Sequence, residues 1–180
     1  MSHTAACEMI TGQKSIHAME GTGTTWAFAP ALIPGALQIE EYARAIITAT
    51  GLFPTVGLVE EAVQVRMGRH RTLMTATSAR YVYVITELAM HTDLVDEAVM
   101  RQQRDHLARA ARLPHVDLRF LPAGAVPWTC GFVIRDGAVT VETPTERIEL
   151  PARTTQGFEE HFARLVAASG PFEGAALSPV

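Results

Sequence analysis

The stretch Arg80-Tyr-Val-Tyr-Val-Ile-Thr-Glu87 decides how the rest of the chain is read. Every residue between its ends is β-branched or aromatic, which favours a pleated strand. A period of two puts Val82, Val84 and Thr86 on one face, and Tyr81, Tyr83, Ile85 and Glu87 on the other. Such a segment belongs near the middle of a sheet. A carboxylate among aromatic and aliphatic neighbours is expensive to bury unpaired. Glu87 is therefore the first residue to examine for chemistry.

Downstream, residues 88–94 make a connection and residues 95–113 carry a helical apolar period through Val95, Ala98, Val99, Leu107, Ala110 and Ala111. Pro114 closes that helix. His115-Val-Asp-Leu-Arg-Phe-Leu-Pro122 alternates again, with Asp117 and Arg119 on one side. A strand, a helix and a strand predict a βαβ crossover with the two strands parallel. Phe132 to Glu142 holds two short strands around Asp136-Gly137, a two-residue turn that needs positive φ at both positions. Residues 147–150 can add a strand, and residues 156–168 a closing helix with Phe158, Phe162, Leu165 and Val166 inward.

Upstream, residues 58–74 predict a helix whose Arg66, Arg69 and Arg71 read as a solvated face paired with Glu60 and Glu61. Ahead of it, Ile33-Pro-Gly-Ala-Leu-Gln feeds a helix with Leu37, Tyr42, Ala45 and Ile46 near one face and Gly51 as its stop. Trp26-Ala-Phe28 forms a short aromatic segment. Residues 1–25 show no sustained period and read as a flexible N-terminal arm, and residues 170–180 as a tail. The expectation is a single α+β domain over residues 26–169. Its mixed sheet has about five strands, one βαβ crossover and a C-terminal hairpin, flanked by an N-terminal helix pair and a closing C-terminal helix.

Composition narrows the function classes. The formal net charge of −4 argues against a nucleic-acid backbone or an anionic membrane surface as partner. Lys14 is the sole lysine. The two cysteines, Cys7 and Cys130, make no disulfide framework, and no leader or membrane span is evident, so a cytoplasmic protein is expected. Cys130, lacking a basic partner in the pattern, reads as a small buried hydrophobe. No phosphate-cradling glycine loop, zinc-protease helix or nucleophile elbow occurs, and the seven histidines have no metal-ligand spacing. No metal or organic cofactor is expected.

Several short runs together resemble a known domain. Pro34-Gly-Ala-Leu-Gln38 with Glu41-Tyr-Ala-Arg44, then Arg66-Met-Gly-Arg-His70, Met100-Arg-Gln-Gln103 and Leu107 through Val116 follow one pattern. Leu121-Pro122, Gly124, Pro127 and Gly131-Phe132 continue it. The pattern is similar to that of an actinobacterial domain of unknown function found after an XRE-type helix-turn-helix in antitoxin-like regulators. The resemblance covers most of residues 26–166. It implies an effector domain. This chain carries no helix-turn-helix, so direct DNA reading is not expected. The stretch Thr86-Glu-Leu-Ala-Met-His91 keeps the family's acid at Glu87 but not its neighbouring Asp and Arg.

Two functional expectations follow. The first is a cofactor-independent acid/base enzyme of natural-product biosynthesis, acting on a small aromatic metabolite in a ring-forming, Pictet–Spengler-like condensation. There Glu87 would be general acid and base, with Tyr83 orienting it and His91 as a second proton carrier. Arg119 would grip an anionic group, and Trp26, Phe28 and Trp128 would wall the aromatic ring. The second is a non-catalytic ligand-sensing or protein-binding module. Self-association as a homodimer through a sheet edge is compatible with either.

Overall fold

The computed structural model describes residues 3–19, 21–122, 124–125, 130–142 and 147–173. In chain order these form α1 (His3–Met19), β1 (Thr22–Ala29), α2 (Glu40–Ala49), α3 (Val56–Thr75), β2 (Ser78–Thr86), α4 (Glu97–Ala110) and β3 (Val116–Leu121). The hairpin strands β4 (Phe132–Arg135) and β5 (Ala138–Glu142), β6 (Arg147–Glu149), α5 (Thr155–Ala168) and β7 (Gly170–Pro171) follow. The fold is α+β, with a mixed sheet in the order β6-β5-β4-β1-β2-β3-β7. It holds seven strands among the described residues, two more than expected.

The extra strands come from segments read as arm and tail. Thr22–Ala29 holds three threonines, Trp26 and Phe28, all strand-favouring, but Gly21 and Gly23 beside them read as a turn; it lies parallel to β2 and antiparallel to β4 at the centre of the sheet. Its ladder partners on both sides fix it. Residues 3–19, also expected to be a loose arm, form the helix α1. At the other end β7 pairs with β3 and buries Phe172.

β1, β2 and β3 are mutually parallel, so there are two crossovers: α2 and α3 join β1 to β2, and α4 joins β2 to β3. The period-two reading of β2 holds. Tyr81, Tyr83 and Ile85 pack under the crossover helices with Tyr42, Ile46, Met100 and Leu107. Val82 and Val84 pack on the opposite face with Phe28, Phe132, Phe162 and Leu165. Burying such side chains stabilises the fold by about 1.5–3 kcal/mol each, and β2 does so from both faces. A third cluster lies off the sheet, where Ala6 and Ile10 of α1 meet Ala43, Ile47, Leu58 and Val63 of α2 and α3. The hairpin turns at Asp136 (φ 49°) and Gly137 (φ +77°), the two positive-φ positions that Asp-Gly supplies.

Candidate functional site

Glu87 leaves the strand that was expected to carry it. Extended backbone ends at Thr86, and Glu87 opens a 3-10 turn spanning Glu87–Met90. The alternation that would have set Glu87 beside Tyr83 stops one residue too early. Ala89 and Met90 are buried and anchor the turn, Glu87 is half-buried, and Leu88 and His91 face solvent. Glu87 and His91 thus stand at the carboxyl end of β2, whereas Tyr83 lies inside the core at 3% exposure, stacked on Tyr81 with ring centroids 6.0 Å apart.

The sheet parts the remaining candidates. Arg119 is opposite Val84 in the parallel register, so it points to the α5 face, away from Tyr83. There its Nε donates to Ser169 Oγ at 2.9 Å and its Nη2 to the carbonyls of Ser169 and Val166 at 2.9 and 3.2 Å. Arg119 is a C-terminal cap for α5, its cation placed where the helix dipole is negative. Trp26 stacks on Phe162 at 5.9 Å with the planes 5° apart, and Phe28 packs on Phe132 at 5.9 Å. Both aromatics serve the α5 core. Trp128 lies outside the described residues. The expected constellation is therefore not assembled: Glu87 and His91 share a turn, Tyr83 is beneath one face, and Arg119, Trp26 and Phe28 belong to the other.

A denser polar cluster forms around the loop after β1, on residues that were not proposed as a site. Gln38 is 2% exposed and Gln103 is fully buried. Gln38 Nε2 donates to the Ile33 carbonyl at 2.7 Å, and Arg66 Nη1 donates to Gln38 Oε1 at 2.9 Å. Gln103 acts like a strand neighbour, donating from Nε2 to Leu37 O and accepting the Ile39 N–H at Oε1, both at 2.8 Å. Tyr42 Oη accepts the Ile33 N–H at 3.4 Å, and burial pushes its phenol pKa up. His70 Nδ1 lies 3.0 Å from the Gln38 carbonyl, which can only accept, so Nδ1 carries the proton. Its ring is 4.5 Å from that of His106.

This clamp also corrects the reading of α3 as a solvated arginine face. Arg66 lies inward across Gly35, where an added Cβ would come 2.8 Å from Arg66 Cδ. Glu60 pairs instead with Arg44, at 2.5 Å. His106 is 4% exposed and its Nε2 has no hydrogen-bond partner. Burial, then the neighbouring His70 and Arg109, push its pKa down to about 4. Burial likewise lowers that of His70. Both imidazoles are neutral near pH 7. The signal for these residues lay in the quoted runs around Gln38, Arg66, His70 and Gln103, whose types say little until the loop is seen to lack backbone partners.

The clamp's product is a rim at the carboxyl ends of β1 and β2. Thr86 Oγ1 donates to the Pro30 carbonyl at 2.6 Å, and Ile33 is held through both its N–H and its carbonyl. Between those fixed points Leu32 is exposed. Leu88 (61% exposed) and Leu94 (51%) stand on the loop after β2. Open ends of parallel strands are where α/β sheets place ligands. Cys130, expected to be buried, is exposed just ahead of β4, whose start faces the end of β1. Among the described residues no group of three or more His, Cys, Asp or Glu could hold a metal ion, and no helix is long and apolar enough to cross a membrane.

A family model described as "Domain of unknown function (DUF5753)" matches residues 13–175, almost the whole chain. No curated protein matches.

Proposed function

We propose that this chain, which belongs to the DUF5753 family, is a non-catalytic recognition module whose binding surface is the rim at the carboxyl ends of β1 and β2. One observation carries the reading: Leu32 and Leu88 are turned to solvent on backbone that is pinned from behind. Exposed leucines on a fixed frame lose little freedom when covered, which is the economy of a recognition surface. The resemblance to the effector domain of antitoxin-like regulators fits a module that senses a ligand or protein. The test is selection of displayed random peptides on the immobilised protein. Binders should enrich on wild type and fail on Leu88→Ser and Leu94→Ser, while Arg119→Met, on the opposite face of the sheet, retains them. Binders indifferent to both leucine changes would overturn the reading.

The acid/base enzyme remains a second reading, because Glu87 and His91 flank one turn at the open end of the sheet. It would take an aromatic amine and an aldehyde into a ring-forming condensation. A product peak from such pairs, lost in Glu87→Gln at unchanged melting temperature, would favour it. Absence of turnover across the panel would remove it.

A further inference from the structure

The rim's charge names the chemistry of its partner. Between residues 81 and 100 there is no lysine or arginine, while Glu87, Asp93, Asp96 and Glu97 fall between the end of β2 and the first residue of α4. That one segment carries a formal charge equal to the net −4 of the entire chain. Asp96 caps α4 by accepting the Val99 N–H at 2.8 Å, and Glu97 is paired with Arg104. Set into the same segment are Leu88 and Leu94. Building on the recognition reading, we infer that the rim takes a basic amphipathic helical segment of another protein, its leucine-like face on Leu32, Leu88 and Leu94 and its Lys or Arg residues over the acidic loop.

Three features favour this occupant. The exposed leucines are spread along adjacent loops at one end of the sheet, which suits a helix laid across them better than a small molecule. The presenting backbone is held: Ala89 and Met90, which follow the exposed Leu88 in the 3-10 turn, are buried, and the Leu94 N–H donates to Thr92 Oγ1 at 3.3 Å. A second copy of this chain is a poorer fit, because a copy meeting rim to rim sets like charges together. Nucleic acid is repelled by the same field.

The experiment is fluorescence anisotropy of the intact protein with two synthetic amphipathic helices of equal length, one of Lys and Leu and one of Glu and Leu in the same pattern. The Lys/Leu peptide should bind, with affinity falling as salt is raised. Leu88→Ser and Leu94→Ser together should weaken it at least about tenfold, the loss expected for central apolar contacts. Asp93→Lys should weaken it and steepen nothing for the Glu/Leu peptide. All three substitutions are at exposed positions, and an unchanged melting temperature confirms the fold. If the Glu/Leu peptide binds as tightly and still needs Leu88 and Leu94, the basic-partner inference is overturned while the recognition rim stands. If neither peptide's binding depends on those leucines, the rim itself is overturned.

Discussion

At 4% exposure and with Nε2 unpartnered, His106 can take up a proton only by placing a charge beside His70 and Arg109. Its folded pKa of about 4 lies below the ordinary histidine value of 6.5. The unfolded chain therefore binds the proton first. Stability is at its full value above about pH 6.5, falls as the pH drops below it, and levels out near the folded pKa. The span corresponds to a loss on the order of 3 kcal/mol from this residue, and His70 adds to it in the same direction. We predict that denaturant unfolding at pH 7.5, 5.5 and 4.5 shows this decline in wild type. His106→Phe should flatten it by about one proton's worth of slope. An unchanged slope would mean that other groups set the acid response.

At the scale of elements, two junctions run through single arginines, Arg66 tying α3 to the loop after β1 and Arg119 tying β3 to the end of α5. Arg66 depends on Gly35 having no side chain. Gly35→Ala should cost about 1–3 kcal/mol, the range for forcing one carbon into a filled site. Adding Arg66→Ala should recover part of that loss, so the double-mutant coupling is favourable; simple additivity would show that the two do not share space. Arg119→Met should loosen the end of α5, lowering stability by about 1–3 kcal/mol, because the Ser169 carbonyl loses its Arg119 donor while that of Val166 keeps the Ser169 N–H and hydroxyl. Binding at the rim should be unchanged, since Arg119 faces the other way. These junctions explain what the sequence could and could not disclose. Period two in β2, the Asp-Gly turn and the α4 and α5 stripes are local patterns, and they were legible. Which face Arg119 takes depends on the β2–β3 register, a tertiary quantity. Glu87 was misplaced by extending an alternation across a backbone change that its own composition does not mark.

At the scale of the whole molecule, the described residues form two apolar clusters that share the sheet and a third that does not. Residues such as Tyr83 and Val84 belong to one strand but to opposite clusters, so opening either face disturbs β2 and with it the other. The third cluster rests on α2 and α3, and α1 contributes Ala6 and Ile10 as its buried hydrophobic side chains. This is why α1 was invisible as sequence: among its described side chains Ala6 and Ile10 are buried, and the polar run with Gly12 that follows them continues no apolar period. The same sparseness sets its stability. Ile10→Ala should release α1 at a cost of about 2–5 kcal/mol at most, with faster amide exchange confined to α1 and the facing turns of α2 and α3. Leu107→Ala, in the cluster under the sheet, should instead raise exchange throughout β1, β2 and β3 and lower the global unfolding free energy. If Ile10→Ala also exposes the β2 amides to global exchange, α1 is part of the cooperative core. The rim's pinned leucines would then depend on α1 through α3 and Arg66, and Ile10→Ala should weaken peptide binding as well as loosen the helix.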